Sequence, residues 1–165
     1  MKRAREKKVT SVWLRASVYV VIADQLTKYL AVYFLTYGIP VKILPWLNLT
    51  LRYNTGTAFG FFFTVGKRHP YFFFLILLIV SALFITIWLG QIKYSNKWRD
   101  FWIALVIGGT FGNFLDRIRF GYVIDFIDFH IKHWHYAVFN IADCTICIGG
   151  FLLIVSLLTS YGFLE

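Results

Sequence analysis

Charged residues are scarce in this sequence of 165 residues. Lys, Arg, Asp and Glu make up 15% of it, against about 25% in ordinary soluble proteins, whereas 59% is apolar and 21% aromatic. Cysteine is almost absent too. Cys144 and Cys147 are too few for a disulfide framework, and a C-x-x-C redox pair would require a βαβ pattern that the sequence lacks. This composition argues against an ordinary soluble domain and favours an integral membrane protein.

Motifs for several kinds of chemistry are missing as well. No Ser stands in a G-x-S-x-G context, which argues against a serine peptidase. H-E-x-x-H is absent, and the segment HIKHWH, with His130, His133 and His135 near Asp128, is the one arrangement that suggests zinc. We interpret these histidines as surface polar residues and expect no metal and no cofactor. No repeat, low-complexity segment or linker divides the chain, so we expect a single membrane domain over 1–165.

Four apolar runs are each close to the roughly 20 residues that cross a hydrocarbon core as a helix. They lie at about 12–36, 71–92, 101–120 and 137–161. The second run carries no charge, whereas the first and third contain acidic and basic residues. The pattern predicts an all-α integral membrane protein with four transmembrane helices.

Positive charges predict the orientation of these helices, because Lys and Arg concentrate on the cytoplasmic side. Nine stand in the N-terminal tail and the loop after the second span, and five in the other two loops. We therefore expect both termini in the cytoplasm and the loops 37–70 and 121–136 outside. A cleaved signal peptide is the competing interpretation, but the first apolar run continues past Asp24 to Phe34 without a cleavage site. The net charge of +9 lies mainly at the ends of apolar runs, so we expect no nucleic-acid partner.

A period of two appears in the first outer loop. In WLNLTLRYN, apolar residues from Leu47 to Tyr53 alternate with polar ones, as expected of a half-buried strand. Pro45 and Gly56 bound this segment. We therefore predict a small extracytoplasmic β element over about 42–63.

Ionisable residues inside the predicted spans need a reason, because each costs about 2.5–3.5 kcal/mol to insert at the bilayer centre. Asp24 and Lys28 are spaced i, i+4 on one face of the first helix, so they can pair with each other or with a neighbouring helix. These two residues either hold neighbouring helices together through polar contacts or form part of a functional site.

The third predicted span carries a similar cluster. Asn113, Asp116 and Arg117 share one helical face at the spacing i, i+3, i+4. Gly108 and Gly112 form a GxxxG step, which predicts the close approach of another helix. The same two interpretations, helix packing and a functional site, apply here.

Three acidic residues, Asp125, Asp128 and Asp143, fall where the third span leaves the membrane and the fourth enters it. Two half-buried carboxyl groups that meet cannot both ionise easily, so one keeps a proton. Such a pair supplies an acid and a base for peptide hydrolysis. The spacing alone does not establish that any two of them meet, and solvated loop acids are the alternative.

Five blocks of sequence then point to a known family. They are ADQLTK at 23–28, NTGTAFG at 54–60, GGTFGNFLDR at 108–117, VIDFID at 123–128 and FNIAD at 139–143. With these blocks in this order, the chain resembles the lipoprotein signal peptidases (signal peptidase II), the prolipoprotein-cleaving aspartic endopeptidases of bacterial membranes. It departs from the family at Thr57, where Ala is more usual, and at Gly109 and Thr110, where a Gly-Ala type sequence is usual.

The resemblance implies a site and a substrate. It implies that Asp125 and Asp143 are the catalytic pair, outside which Asp128 lies, and that a β element covers them at the outer face of the bacterial inner membrane. The substrate implied is a diacylglyceryl-modified prolipoprotein, cut just before the lipidated cysteine. We expect a monomer, with membrane lipids as its other partners. The resemblance further implies that the positions that bind substrate or support the site are Asn54, Gly56, Asn113, Asp116, Arg117, Asn140, Asp24 and Lys28.

Two other classes of protein stay open. A small transporter or proton channel would use the charged residues of the first and third spans as a relay across the bilayer. It would spread them over several depths, whereas here they cluster in the predicted outer half. A scaffold subunit without activity would tolerate Asn in place of Asp125 and Asp143.

Overall fold

The computed structural model describes residues 2–55, 97–131, 134–135 and 137–160. In this part of the chain three helices and four strands follow one another in the order α1, β1, β2, α2, β3, β4, α3. The helices are α1 Lys2–Phe34, α2 Lys97–Phe120 and α3 Ile141–Ser160. The strands are β1 Val41–Leu44, β2 Leu47–Asn54, β3 Val123–Ile131 and β4 Trp134–His135.

The helices coincide with three of the four predicted apolar runs. α1 and α2 begin earlier than the predicted 12 and 101, whereas α3 begins later than 137 because Phe139 still pairs with β3 and Asn140 caps the helix. The predicted second span, 71–92, lies outside the described residues. Within the part of the chain that the structure describes, no helix combines the length and apolarity that crossing a bilayer requires. The arrangement with four spans stays a prediction.

Glycines let α2 approach both of the other helices closely. A Cβ atom on Gly108 would lie 2.8 Å from the carbonyl oxygen of Ser17, and one on Gly112 would lie 2.5 Å from Oδ2 of Asp24. Gly109 instead faces α3, where a Cβ atom would meet a backbone oxygen at 2.5 Å. The close approach predicted from the GxxxG step is confirmed, and its partner is α1.

The four strands form one antiparallel sheet in the order β1-β2-β3-β4. The first two strands agree with the predicted β element, of which residues 56–63 lie outside the described part. The other two strands come from the segment 121–136, for which the sequence predicted no strand. The first four residues of β3, from Val123 to Phe126, are all buried, so both faces of the strand are covered there and no period of two marks it.

A β-bulge in β2 breaks the alternation that predicted this strand. Two residues of β2, Thr50 and Leu51, stand opposite a single residue of β3, and both are buried. Polar Asn48 is buried as well, whereas Tyr53 is exposed. The prediction of one apolar and one polar face is therefore only partly right.

An apolar cluster fixes the sheet against the helix ends. Its buried members are Ala31 of α1, Leu51 of β2, and Ile124 and Phe126 of β3. Ile141, at the start of α3, packs against it. The sheet therefore lies where α1 ends and α3 begins, and β3 brings its acidic residues to that place.

Candidate active site

A buried lysine lies at the contact between α1 and α2. Lys28 is 1% exposed, and its Nζ lies 2.9 Å from Oδ2 of Asp24, 2.8 Å from Oδ2 of Asp116 and 2.9 Å from Oδ1 of Asn113. An ammonium group has three N–H donors, and each has an acceptor here. Because a buried charge is tolerated only when it is paired and hydrogen-bonded, these four residues form one unit. The two charged clusters predicted on separate helices are thus a single network.

The carboxylates of this network also hold the neighbouring elements. Oδ1 of Asp24 accepts the backbone N–H of Ala142 at 3.0 Å, which ties the start of α3 to α1. Oδ2 of Asp116 accepts the backbone N–H of Ile124 at 3.2 Å, which ties β3 to α2. The network therefore sets the positions of the two elements that carry Asp125 and Asp143.

Asn140 joins those two acidic residues directly. Its Oδ1 accepts the backbone N–H of Asp143 at 2.9 Å, and its own backbone N–H donates to Oδ2 of Asp143 at 3.2 Å. This reciprocal pair is a capping box at the first turn of α3, with Asn at the cap and Asp three residues later. The Nδ2 of Asn140 donates to Oδ1 of Asp125 at 2.6 Å. One fully buried side chain thus contacts both acids of the predicted pair.

The carboxyl group of Asp125 is almost entirely buried. Its Oδ2 accepts a hydrogen bond from Nδ2 of Asn54 at 3.0 Å, in addition to the bond from Asn140. Burial raises the pKa of Asp125 from 3.8 to about 6; the hydrogen bond from Asn54 opposes this shift, and repulsion from Asp143 adds to it. A carboxyl group with such a pKa can hold or release a proton near neutral pH.

Asp143 is bonded on both oxygens. Its Oδ1 accepts a hydrogen bond from Nδ2 of Asn113 at 2.8 Å, and its Oδ2 accepts the backbone N–H of Asn140. The Oδ1 of Asn113 in turn accepts from Lys28 at 2.9 Å and from Nδ2 of Asn140 at 3.2 Å. Asn113 therefore connects the lysine network to the acidic pair.

Arg117 adds a positive charge beside this pair. It is half-buried, and one of its guanidinium nitrogens donates to the carbonyl oxygen of Asn113 at 3.2 Å. Its charge interacts most strongly with Asp143 and next with Asp125. The prediction that Arg117 lies at the site agrees with these contacts.

Asp128 belongs to another contact of the same strand. It is 4% exposed, and its Oδ2 accepts a hydrogen bond from Oγ1 of Thr50 at 2.8 Å. Residues three apart on a strand point to opposite faces, so Asp128 and Asp125 diverge. This geometry fits the expectation that Asp128 lies outside the pair.

Gly56, a predicted site position, and His133, which was interpreted as a surface residue, lie outside the described residues. His130 is half-buried in β3 and stands opposite His135 of β4. The described ranges contain no group of three His, Cys, Asp or Glu side chains placed to hold a metal ion. That the enzyme works without a metal ion therefore stays a prediction.

Sequence reasoning missed Gln25. Its Nε2 donates to Oδ1 of Asp116 at 2.8 Å and to the carbonyl oxygen of Gly112 at 3.2 Å, and its Oε1 accepts from Arg119 at 3.1 Å. A neutral amide in a helix does not stand out as a buried charge does. Its position directly after Asp24 in the block ADQLTK is the one signal that marks it.

Comparison with known proteins shows which family the chain belongs to. A family profile described as signal peptidase (SPase) II matches residues 16–159. The chain belongs to the signal peptidase II family. It is 53% identical over 146 residues to a lipoprotein signal peptidase of Coxiella burnetii, covering 88% of this chain and 89% of the relative. A lipoprotein signal peptidase of Hydrogenovibrio crunogenus is 44% identical over 156 residues, covering 94% of this chain and 89% of the relative.

Solved structures agree with the family. One bacterial membrane enzyme, determined by the in meso method at 1.9 Å resolution, has a TM-score of 0.75 at 33% identity, covering 90% of this chain and 93% of that one. A second, determined by the same method at 2.3 Å resolution, has a TM-score of 0.77 at 32% identity, covering 94% of this chain and 92% of that one. The resemblance drawn from the five sequence blocks is confirmed. As a signal peptidase II, the protein is a hydrolase of the protease class.

Proposed function

We propose that this signal peptidase II is an aspartic endopeptidase of the bacterial inner membrane that removes the signal peptides of prolipoproteins. It cuts just before the cysteine that carries a diacylglyceryl group. Its relatives in Coxiella burnetii and Hydrogenovibrio crunogenus are lipoprotein signal peptidases, which supports a prolipoprotein as the substrate. Nothing in these relatives favours the transporter alternative.

The observation that carries the aspartic mechanism is that Asp125 and Asp143 share the side chain of Asn140. The two acids come from different elements, β3 and α3, and one buried amide holds both. Their charges repel each other, and Asp125 titrates near neutral pH. A pair of this kind favours a state with one proton and one negative charge.

Such a pair can hydrolyse a peptide bond with no other reactant than water. The ionised acid takes a proton from water as the water oxygen bonds to the scissile carbonyl carbon. The protonated acid gives its proton to the carbonyl oxygen, which leaves a neutral diol. The first acid then delivers its proton to the amide nitrogen as the C–N bond breaks, and the second recovers a proton from the diol. The products are a carboxylic acid and an amine, and the pair returns to its starting state.

The lipid on the substrate explains why such a pair would lie at a membrane boundary. Acyl chains hold a lipidated cysteine at the outer leaflet, so a pair at that depth meets the scissile bond without removing the substrate from the membrane. Large apolar side chains at the end of α1, among them Tyr33 at 71% and Phe34 at 73% exposure, suit contact with lipid. Asn54 and Arg117 carry N–H donors beside the pair, and we assign them to substrate backbone or ester oxygens.

The proposed enzyme has four transmembrane helices, with both termini in the cytoplasm and the sheet over the active site outside. It works as a monomer and uses no metal or cofactor. The contact of Asn54, the last residue of β2, with Asp125 of β3 supports a role of the sheet in covering the site. Lys28 is paired with Asp24 and Asp116 and donates a hydrogen bond to Asn113. These three residues therefore support the site through Asn113.

Replacement of either acid by Asn tests this proposal. We expect Asp125→Asn and Asp143→Asn each to abolish cleavage of a diacylglyceryl-modified precursor, because one member then lacks the charge or the proton that the mechanism needs. A gel-shift assay on one lipidated precursor, with thermal unfolding in detergent to verify folding, measures this. Asp128→Asn, on the same strand but bonded to Thr50, is the matched control and should retain cleavage. Cleavage by either of the first two variants would refute the catalytic pair.

A further inference from the structure

Gln25 joins α1 to one face of α2 at three successive turns. Its Nε2 donates to the carbonyl oxygen of Gly112 at 3.2 Å and to Oδ1 of Asp116 at 2.8 Å, and its Oε1 accepts from exposed Arg119 at 3.1 Å. Residues spaced i, i+4 and i+7 lie on one face of a helix. A carbonyl oxygen only accepts and a guanidinium only donates, so these partners fix which way the amide of Gln25 points.

The carboxylate of Asp116 depends on this amide for its orientation. Asp116 is 1% exposed, so its oxygens need donors from the protein. Oδ2 accepts from Nζ of Lys28 at 2.8 Å and from the backbone N–H of Ile124 at 3.2 Å. Among the described residues, Gln25 is the one donor to Oδ1. Rotation about the last side-chain bond of Asp is soft, so donors at both oxygens are what hold the carboxylate in place.

The orientation of Asp116 in turn decides where Asp125 lies. Asp116 binds the N–H of Ile124, the residue directly before Asp125 on β3. The carbonyl oxygen of Ile124 accepts from Nδ2 of Asn140 at 3.3 Å, and the same nitrogen donates to Asp125. If the carboxylate of Asp116 turns, its bond to Ile124 weakens and β3 moves relative to Asn140. A displacement of about 1 Å at a reacting group can lower a rate about 100-fold.

We propose that Gln25 is a positioning residue of the reaction: its amide sets the orientation of the Asp116 carboxylate, which holds β3 and thereby Asp125 in place. This assignment rests on the proposed role of Asp125 as a catalytic acid. In the described part of the chain, the contacts of Gln25 are with α1 and α2 and not with the acidic pair. Gln25 therefore acts on the chemical step and not on the binding of the substrate.

A second route, through Asp24, is weaker. Nε2 of Gln25 lies 3.3 Å from Oδ2 of Asp24, whose Oδ1 accepts the backbone N–H of Ala142 at the start of α3. Oδ2 of Asp24 also accepts from Lys28 at 2.9 Å, so it keeps a donor when the amide is removed. We therefore expect the loss of Gln25 to affect β3 and not α3.

Gln25→Met tests the assignment, because Met matches Gln in length and has no N–H group to donate. Lys28 still compensates Asp116 in this variant, so we expect it to fold. Ser17→Ala is the matched control. Oγ of Ser17 donates to the carbonyl oxygen of Ala104 at 3.0 Å and so joins the same two helices, about two turns of α1 away from Gln25.

Both variants lose a hydrogen bond between α1 and α2, so both should lower the midpoint of thermal unfolding in detergent. We expect only Gln25→Met to lower kcat for a lipidated precursor, by roughly 10- to 100-fold, with KM within about twofold of wild type. An unchanged kcat in Gln25→Met would overturn the proposal. A loss of kcat in Ser17→Ala as large as that in Gln25→Met would overturn it as well, because any weakened helix contact would then suffice.

The backbone N–H of Ile124 reports the proposed route independently of cleavage. In nitrogen-15 NMR of the labelled protein in detergent, Gln25→Met should move the Ile124 amide proton upfield as its bond to Asp116 lengthens. The amide of Ala142, which is bonded to Asp24, should stay in place. An unmoved Ile124, or a shift of Ala142 alone, would overturn the route through Asp116. Failure of the aspartic mechanism is distinct, since it appears as cleavage surviving in Asp125→Asn and leaves the shift of Ile124 unaffected.

Discussion

At the scale of single residues, the burial of Asp125 affects both the stability of the folded protein and the proposed chemistry. In the unfolded chain its carboxyl group has the ordinary pKa of 3.8, and burial in the fold raises this pKa to about 6. Because the folded state then binds the proton more tightly than the unfolded state, its contribution to stability is greatest at acid pH. That contribution is lost as the pH rises from the unfolded pKa of 3.8 to the folded pKa of about 6. Above pH 6 the folded protein bears the full free-energy cost of burying the ionised carboxylate. In the proposed mechanism this cost is tolerated because Asp125 holds a proton where the reaction requires one.

Asp125→Asn should therefore stabilise the folded protein near neutral pH. A pKa shift from 3.8 to about 6 corresponds to a gain of up to about 3 kcal/mol, since one unit is worth about 1.36 kcal/mol. Thermal unfolding in detergent, compared with wild type above pH 6 and well below pH 4, measures this gain. It should vanish at the lower pH, where the wild-type group is protonated in both states. A gain of equal size at both pH values would contradict the assigned shift.

At the scale of elements, neighbouring glycines in α3 differ in what they contact. Gly149 faces α2, where a Cβ atom would lie 2.7 Å from the carbonyl oxygen of Trp102 and 3.0 Å from Cβ of Leu105. Gly150 is its neighbour in sequence, and a Cβ atom there would have no described atom within 4 Å. The requirement for glycine therefore comes from helix packing at one position and not at the other.

Alanine at each of these positions should have opposite effects. Gly149→Ala forces α2 and α3 apart and should destabilise the protein by about 1–3 kcal/mol. Gly150→Ala should stabilise it by roughly 0.5–1 kcal/mol, because Ala restricts the unfolded chain and favours a helix. Denaturant unfolding of the two variants in the same detergent compares them. Similar effects of both substitutions would show that the contact with Trp102 does not limit this packing.

The elements also differ in how far the sequence could predict them. Long apolar runs predicted α1, α2 and α3, and a period of two predicted β2, because each pattern follows from burial of one face or one span. β3 leaves no such pattern, since its first four residues, beginning at Val123, are buried on both faces. Within the site, the high cost of burying charge marked Asp24 and Lys28, whereas Gln25 carries no charge and was missed. The bulge at Thr50 arises from tertiary pairing, which no local period encodes.

At the scale of the whole molecule, one network of polar groups joins the described helices to β3. Asp24 binds α3 at Ala142, Asp116 binds β3 at Ile124, and Lys28 lies between the two carboxylates. Removal of one member of a buried ion pair costs about 3–5 kcal/mol because the other charge is left uncompensated. The same contacts therefore stabilise the fold and set the geometry of the acidic pair, so the two cannot be varied independently.

The proposed orientation in the membrane makes the last prediction. Alkaline phosphatase needs disulfides and is active only outside the cytoplasm. Fusions after Thr55 and after His135 should be active because both residues lie in the predicted outer loops. Fusions after Lys97 and after Glu165 should be inactive, because the loop after the second span and the C-terminus are predicted to lie in the cytoplasm. This orientation follows from the nine Lys and Arg residues of the N-terminal tail and that loop. A fluorescent protein that matures only in the cytoplasm should give the reciprocal result at the same four positions. Phosphatase activity after Lys97 would contradict the proposed orientation and therefore the outer location of the acidic pair. A lipidated cysteine in the outer leaflet would then have no route to Asp125 and Asp143.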